Sequence, residues 1–277
     1  MNTLKRLVKH RLAVVGTAVV LAFFVIAVFA PYLAPRDPLR MSLAVRLRPP
    51  SAEFPLGTDE LGRDVLSRIL HGTRVSLMMA VVSVAIGLAL GAPVGALSAF
   101  YGGASDILTQ RVVDVALAFP GILLAIMVVA VLGPGLVNAM LAVGLSFAPI
   151  YARMVRGAVL EIREREFIEA ARAVGTGNLT IVRRHIVPNC LAPLIVLSTL
   201  QMASAILWAA GLGFLGLGAQ PPSPEWGTML GRSQMFIRVA PHTSTFPGLA
   251  IALAVLGFNL LGDGLRDALD PRLRGRL

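Results

Sequence analysis

Lysine is almost missing from this chain, standing only at Lys5 and Lys9. A GxxxxGK phosphate loop closed by Ser or Thr needs a lysine among glycines, and neither position supplies one, so the chain does not bind ATP by that route. Cysteine occurs once, at Cys190, which excludes an internal disulfide and leaves the redox compartment open. The four histidines, His10, His71, His185 and His242, are scattered without ligand-like spacing and read as ordinary polar residues. No GxSxG or HExxH pattern is present. Charged residues make up only 14%, and none falls mid-span in the long apolar runs. Ion-coupled carriers usually keep an acid or a histidine at membrane depth. The nearest candidate, Asp114, follows Arg111 closely and reads as its partner at the membrane interface. The chain therefore reads as neither an enzyme nor a transporter with its own engine. It binds no cofactor and no metal on this reading.

What is present is apolar. Hydrophobic residues reach 56% and mean hydropathy is +0.77, beyond what a soluble surface allows. Leu12 to Pro35, Val75 to Ser105, Val115 to Ala152, His185 to Pro224 and Val239 to Gly262 carry no charge. A helix crossing the bilayer core needs about 20 apolar residues. The third run is too long for one helix, and Gly133-Pro134-Gly135 divides it. An all-α polytopic protein with six spans follows, at 12–34, 75–100, 112–132, 136–155, 190–213 and 246–262. Lys5, Arg6, Lys9 and Arg11 precede the first span as they would in a signal peptide. Its length and the Ala30-Pro31 pair suit an uncleaved anchor better.

The net charge of +10 belongs to membrane topology and not to nucleic acid. Basic residues flank spans: at the amino terminus, in Arg153, Arg156, Arg163, Arg165, Arg172, Arg183 and Arg184, and in Arg266, Arg272, Arg274 and Arg276. Six spans put all three groups on one side, and the positive-inside rule makes it cytoplasmic. The resulting segments are a cytoplasmic 1–11, the anchor 12–34, an external loop 35–74, a core 75–262 and a cytoplasmic tail 263–277. One feature resists. The external loop holds Arg36, Arg40, Arg46, Arg48, Arg63, Arg68 and Arg74, among five acids.

Two local patterns stand out. Ser83, Gly87, Gly91, Gly95 and Ala99 place a small residue at every fourth position of the second span, a spacing that lets helix backbones approach in lipid. Because four residues exceed one 3.6-residue turn, the row drifts by about 40° per step, and it is expected to serve more than one neighbour or a crossing. Pro93 is expected to kink this span. The second pattern is the charged loop 156–189. An amphipathic helix is expected over 158–173, supported by Glu161–Arg165 and Glu169–Arg172 pairs. Gly175 and Gly177 end it. Leu179, Val182 and Ile186 then form the apolar face of a second short helix, and Pro188 opens the fifth span.

Glu169-Ala170-Ala171, Gly175 and Pro188 resemble the EAA signature of ABC importer permeases. The resemblance continues in Leu56-Gly57-Thr58-Asp59, Leu61-Gly62-Arg63-Asp64, Phe119-Pro120, Tyr151-Ala152-Arg153, Pro224-Glu225-Trp226-Gly227 and Phe258-Asn259 to Asp267. These are similar to dipeptide, oligopeptide and nickel permeases, specifically the second subunit of the pair. The resemblance implies a MetI-like type I importer fold in the bacterial inner membrane, with both termini cytoplasmic. It implies a heterodimer with a second homologous permease, two cytoplasmic ATP-binding subunits that hold ATP and Mg, and an external solute-binding protein. Coupling to the ATPases falls to Glu169, Ala170, Ala171, Gly175, His185 and Pro188. The 214–227 loop, with Gly216, Gly218, Pro221 and Trp226, is a candidate external gate or docking surface, or else a plain re-entrant or capping loop. Small peptides are the default cargo. Nickel, opine or glutathione-type solutes, or an ion-coupled mechanism, are the alternatives.

Overall fold

The computed structural model describes residues 11–269. Lys5, Arg6, Lys9, His10, Arg272, Arg274 and Arg276 lie outside the described residues. Within them, regular structure is helical apart from an isolated bridge between Thr58 and Asp64.

Helix α1 is Arg11–Leu33. A looped segment with one short turn at Leu43–Val45 leads to α2, Val65–Tyr101, 37 residues long. At a rise of 1.5 Å per residue that is about 55 Å, longer than a bilayer core. It starts ten residues before the expected span because Asp64 caps it, accepting from the Ser67 amide at 2.8 Å. Pro93 lies inside this helix without breaking it.

The third span departs from expectation. In place of one helix over 112–132 there are two, α3 (Gly103–Ala118) and α4 (Gly121–Leu132), bent by 92°. Pro120 has no N–H and crowds the residue before it. Phe119 accordingly sits in extended backbone, φ −88° and ψ 138°.

Helix α5 (Leu136–Arg163) runs past the expected span end and takes in the first residues assigned to the amphipathic helix. After it come α6 (Glu166–Ala173), α7 (Asn178–Ile181), a π turn (Val182–Ile186) and α8 (Val187–Phe214). Then follow α9 (Trp226–Ser233) and α10 (His242–Leu269).

Close contacts fix the direction of each helix. Gly16 abuts Leu260 and Leu261, and Ala13 abuts Gly264, so α1 and α10 are antiparallel. Gly262 meets Leu200, and Arg266 and Leu269 line a cavity with Asn189 and Pro193, so α10 is antiparallel to α8. Arg163 donates to the Ala99 carbonyl at 2.9 Å, which puts the ends of α2 and α5 together. The α3–α4 pair must therefore carry the chain back from Tyr101 to Leu136 and counts as one broken span. Five straight candidate spans and this one give six crossings. Arg11 and Leu269 lie at the same end as the 163–188 segment.

From Ser83 to Gly95 the small-residue row of α2 faces α5. Ser83 Oγ donates to the Met140 carbonyl, 57 positions on, at 3.1 Å, and the same separation recurs at Gly87–Gly144, Gly91–Ala148 and Gly95–Ala152. A Cβ on Gly91 would stand 2.1 Å from the Ala148 carbonyl oxygen, and one on Gly95 2.1 Å from that of Ala152. Ala99, at the end of the row, lies in a cluster that also holds Ile168 and Ala171 of α6. Gly144, Ala148 and Ala152 carry the same four-residue repeat, so the two parallel helices drift together and wrap around each other.

Candidate functional site

The segment between α5 and α8 forms a knob at one end of the bundle. Its shape is local in origin. Helix α6 ends in a Schellman motif: Gly175 has φ +78°, its amide bonds to the Arg172 carbonyl at 2.9 Å, and the Thr176 amide reaches back to Ala171 at 3.0 Å. Then α7 starts and widens into the π turn, where the Val187 amide bonds to Val182, five residues back. Pro188 follows at once; it has no amide to offer, and its ring would crowd the Arg184 carbonyl in a regular helix.

The π turn resets which residues face inward. Ile181 and Ile186, five apart, are both buried, while Leu179 is 69% exposed. Of the expected Leu179–Val182–Ile186 face, Ile186 is buried and Val182 packs partly buried against the same cluster, while Ile181 takes the inner place of Leu179 because one extra residue per turn shifts the apolar face. Ile168, Ala171, Ile181 and Ile186 pack against Ala99, Phe100, Val159 and Ile162. Arg172 lies over the Phe100 ring at 5.7 Å, in place of the expected pair with Glu169. The Glu161–Arg165 pair is present at 2.8 Å, on the surface. Of the coupling candidates, Ala171 points inward and His185 is half-buried with its ring 6.0 Å from Phe167. Glu169, Ala170, Gly175 and Pro188 are exposed, beside exposed Val174.

At the far end, the 214–227 segment does not present Trp226 outward. The indole is fully buried. Its Nε1 donates to the Ile69 carbonyl at 3.2 Å, and its ring meets Phe23 edge-on at 5.7 Å. Trp226 is therefore an anchor for α9 and not part of a docking surface. Gly218 is buried against Gly213, while Gly216 (φ +76°) and Pro221 are exposed.

Glu225 went unremarked as a functional residue, and it organises this region. It caps α9 from inside the protein, accepting from the Gly227 and Thr228 amides at 2.7 Å each. Burial pushes its carboxyl up from the ordinary carboxylate range, and the bonds from Gly227 and Thr228 oppose that. A Cβ on Gly213 would lie 2.3 Å from Glu225 Oε2, so that glycine makes room for the carboxylate. Helix α9 also lies on the last turn of α8, with Gly227 against Ala210 and Gly231 against Phe214.

The arginine-rich segment at and before the start of α2 holds a cluster of ion pairs. Arg63, almost fully buried, donates to Asp59 at 2.7 Å and Glu60 at 3.0 Å. Arg68 lies 3.4 Å from Asp59, and Arg232 of α9 lies 3.5 Å from Glu60. Arg36 stacks on Phe54 at 4.3 Å and lies 3.6 Å from Glu53. Three of the seven arginines that the sequence places in this segment, Arg36, Arg63 and Arg68, thus have acid partners.

Asp114 pairs with Arg153 of α5, not with Arg111. Asp106 and Arg156 form a second α3–α5 bridge, bidentate at 2.8 and 2.7 Å. The sequence signal for both was charge of opposite sign near span ends, but nothing in it fixed the partners. Among the described residues no group of three or more His, Cys, Asp or Glu is placed to hold a metal.

Residues 91–275 match the family described as binding-protein-dependent transport system inner membrane component, and residues 2–50 match the N-terminal TM domain of oligopeptide transport permease C. The dipeptide transport system permease protein DppC of Alkalihalophilus pseudofirmus is 50% identical over 98% of this chain and 89% of its own length. The di/tripeptide transport system permease protein DppC of Pseudomonas aeruginosa is 49% identical over 90% and 84%. The glutathione transport system permease protein GsiD of Pectobacterium atrosepticum is 46% identical over 98% and 90%. A chain of the MetNI methionine ABC transporter, in an inward-facing crystal form, has the same fold at TM-score 0.60 and 24% identity, covering 73% of this chain and 96% of that one.

Proposed function

The chain belongs to the binding-protein-dependent transport inner membrane components and is a permease subunit of an ATP-driven importer; from that premise we propose that it carries small peptides and is driven through the 163–188 knob. The observation that carries the coupling reading is the knob's two faces. Its inner side is fixed to α2 and α5 by Ile168, Ala171, Ile181 and Ile186. Its outer side offers Glu169, Ala170, Val174 and Leu179 to a partner. Because α5 enters the knob and the 178–214 helix leaves it, a push on the knob tilts two spans, which suits rigid-body alternating access.

On this reading the knob and both chain termini are cytoplasmic. Two ATPase subunits seat on the two permeases and hold the ATP and Mg, while this chain binds no cofactor. The second permease is a homologue of this one, and solute crosses between the two. A solute-binding protein delivers cargo at the far end, where the turn that exposes Gly216 and Pro221 is the gate. Peptide cargo rests on the relatives named for dipeptides, di/tripeptides and glutathione. These share peptide bonds and charged termini.

Ala170→Arg tests the reading, because position 170 is exposed in a helix and arginine is a good helix former. Uptake of a labelled dipeptide by vesicles holding the complete importer should fall about tenfold or more, as for loss of a coupling contact, with the complex still assembled. Unchanged uptake in the assembled variant would refute coupling through this face.

A further inference from the structure

Helix α3 is tied to the bundle by charge more than by packing. Of its 16 residues only Val113 is buried. Ile107, Leu108, Val112 and Val115 are 63–69% exposed. Arg156 holds Asp106 with two guanidinium nitrogens, and Arg153 holds Asp114 two turns further along α3. The Asp106 side chain is only 13% exposed and that of Arg156 31%, so solvent screens this pair less than a surface pair.

Both ends of α3 are joints. At its start Gly102 has φ +68° and ψ −156°, a conformation confined in practice to glycine, and Gly103 follows at φ +61°. No atom lies within 4 Å of a Cβ built on Gly103, so the turn and not packing requires glycine there. At its end, Phe119-Pro120 turns the chain by 92° into α4. Helix α5, by contrast, is locked to α2 by direct backbone contact and runs unbroken from Arg153 to the edge of the knob.

We propose that Arg153 and Arg156 are positioning residues that make α3 follow α5, so that the inner half of the broken third span moves with the α2–α5 pair during transport. The proposal rests on the coupling reading above. When the knob tilts α5, the α2–α5 pair moves as one body. Helix α3, jointed at both ends, moves with it only while the two arginines hold Asp106 and Asp114.

The test uses the complete importer in proteoliposomes, with a spin label at Val112→Cys in a Cys190→Ala background. The parent is compared with Asp106→Asn, Asp106→Arg, Arg156→Asp and the exchanged pair Asp106→Arg with Arg156→Asp. Each single change should raise label mobility with and without ATP and lower solute moved per ATP hydrolysed by about tenfold. The exchanged pair should bring both readouts back toward the parent. Asp106→Asn keeps the shape of the side chain, so it gives a readout if the reversals fail to assemble. An unchanged label in Asp106→Asn means something else holds α3 and overturns the proposal. A freed label with unchanged transport per ATP reduces the pair to a structural role and also overturns it. A parent that moves no peptide counts against the cargo reading alone, since the label needs no cargo.

Discussion

Glu225 and Trp226 stand side by side and bury a charge and the largest side chain of this region. The carboxylate satisfies two amides that would otherwise be orphaned inside the protein. Glu225→Gln keeps one acceptor oxygen but turns an amide nitrogen toward one of those N–H groups, at a cost of about 1–3 kcal/mol. Trp226→Ala removes the indole from between α1, α2 and α9 and should cost about 3–5 kcal/mol. Thermal unfolding of the purified complex should rank Trp226→Ala below Glu225→Gln and both below the parent. Gly175→Val puts a β-branched residue at φ +78° and should lower uptake with little loss of spans, as read by transport and circular dichroism. The sequence marked Gly175 correctly as a turn, because positive φ is a local requirement. It gave Trp226 to a gate because burial depends on Ile69 and Phe23, far away in the chain.

Among elements, the α2–α5 contact is the most demanding. Gly91→Leu would drive a side chain into the Ala148 carbonyl and should abolish accumulation of the folded subunit in membranes. Gly157→Ala is the matched control, since nothing lies within 4 Å of a Cβ there. In that helix interior alanine should stabilise by up to about 1 kcal/mol, and accumulation should be unchanged or higher. Helix positions were legible from uncharged runs, but helix ends were not. Helix α2 starts early because Asp64 caps it ahead of Val65, so Arg74, the charge that looked like a boundary, lies inside the helix. The 92° break at Phe119-Pro120 and the π turn before Val187 escaped the reading for a common reason. Both are backbone departures that leave the apolar pattern nearly intact. The row of small residues on α2 was plain in the sequence. Its main partner was not, because the matching Gly144, Ala148 and Ala152 row had to be found on another helix.

For the whole molecule, six crossings bring both described ends to the side of the knob. That arrangement was readable from the distribution of arginine once the span count was right. On the opposite side, the cluster around Asp59 and Arg63 pairs some of the arginines with acids. The chain belongs to a family of permease subunits of ATP-driven importers. A subunit of this kind must take its energy across a surface, and the knob is the surface proposed. The most direct test is photo-crosslinking from position 170 in the assembled importer. A crosslinker there should join this subunit to an ATPase chain, with a yield that changes when ATP is bound. Capture of the solute-binding protein instead, or labelling of position 170 by an impermeant reagent from outside the cell, would contradict both the coupling site and the orientation of the chain.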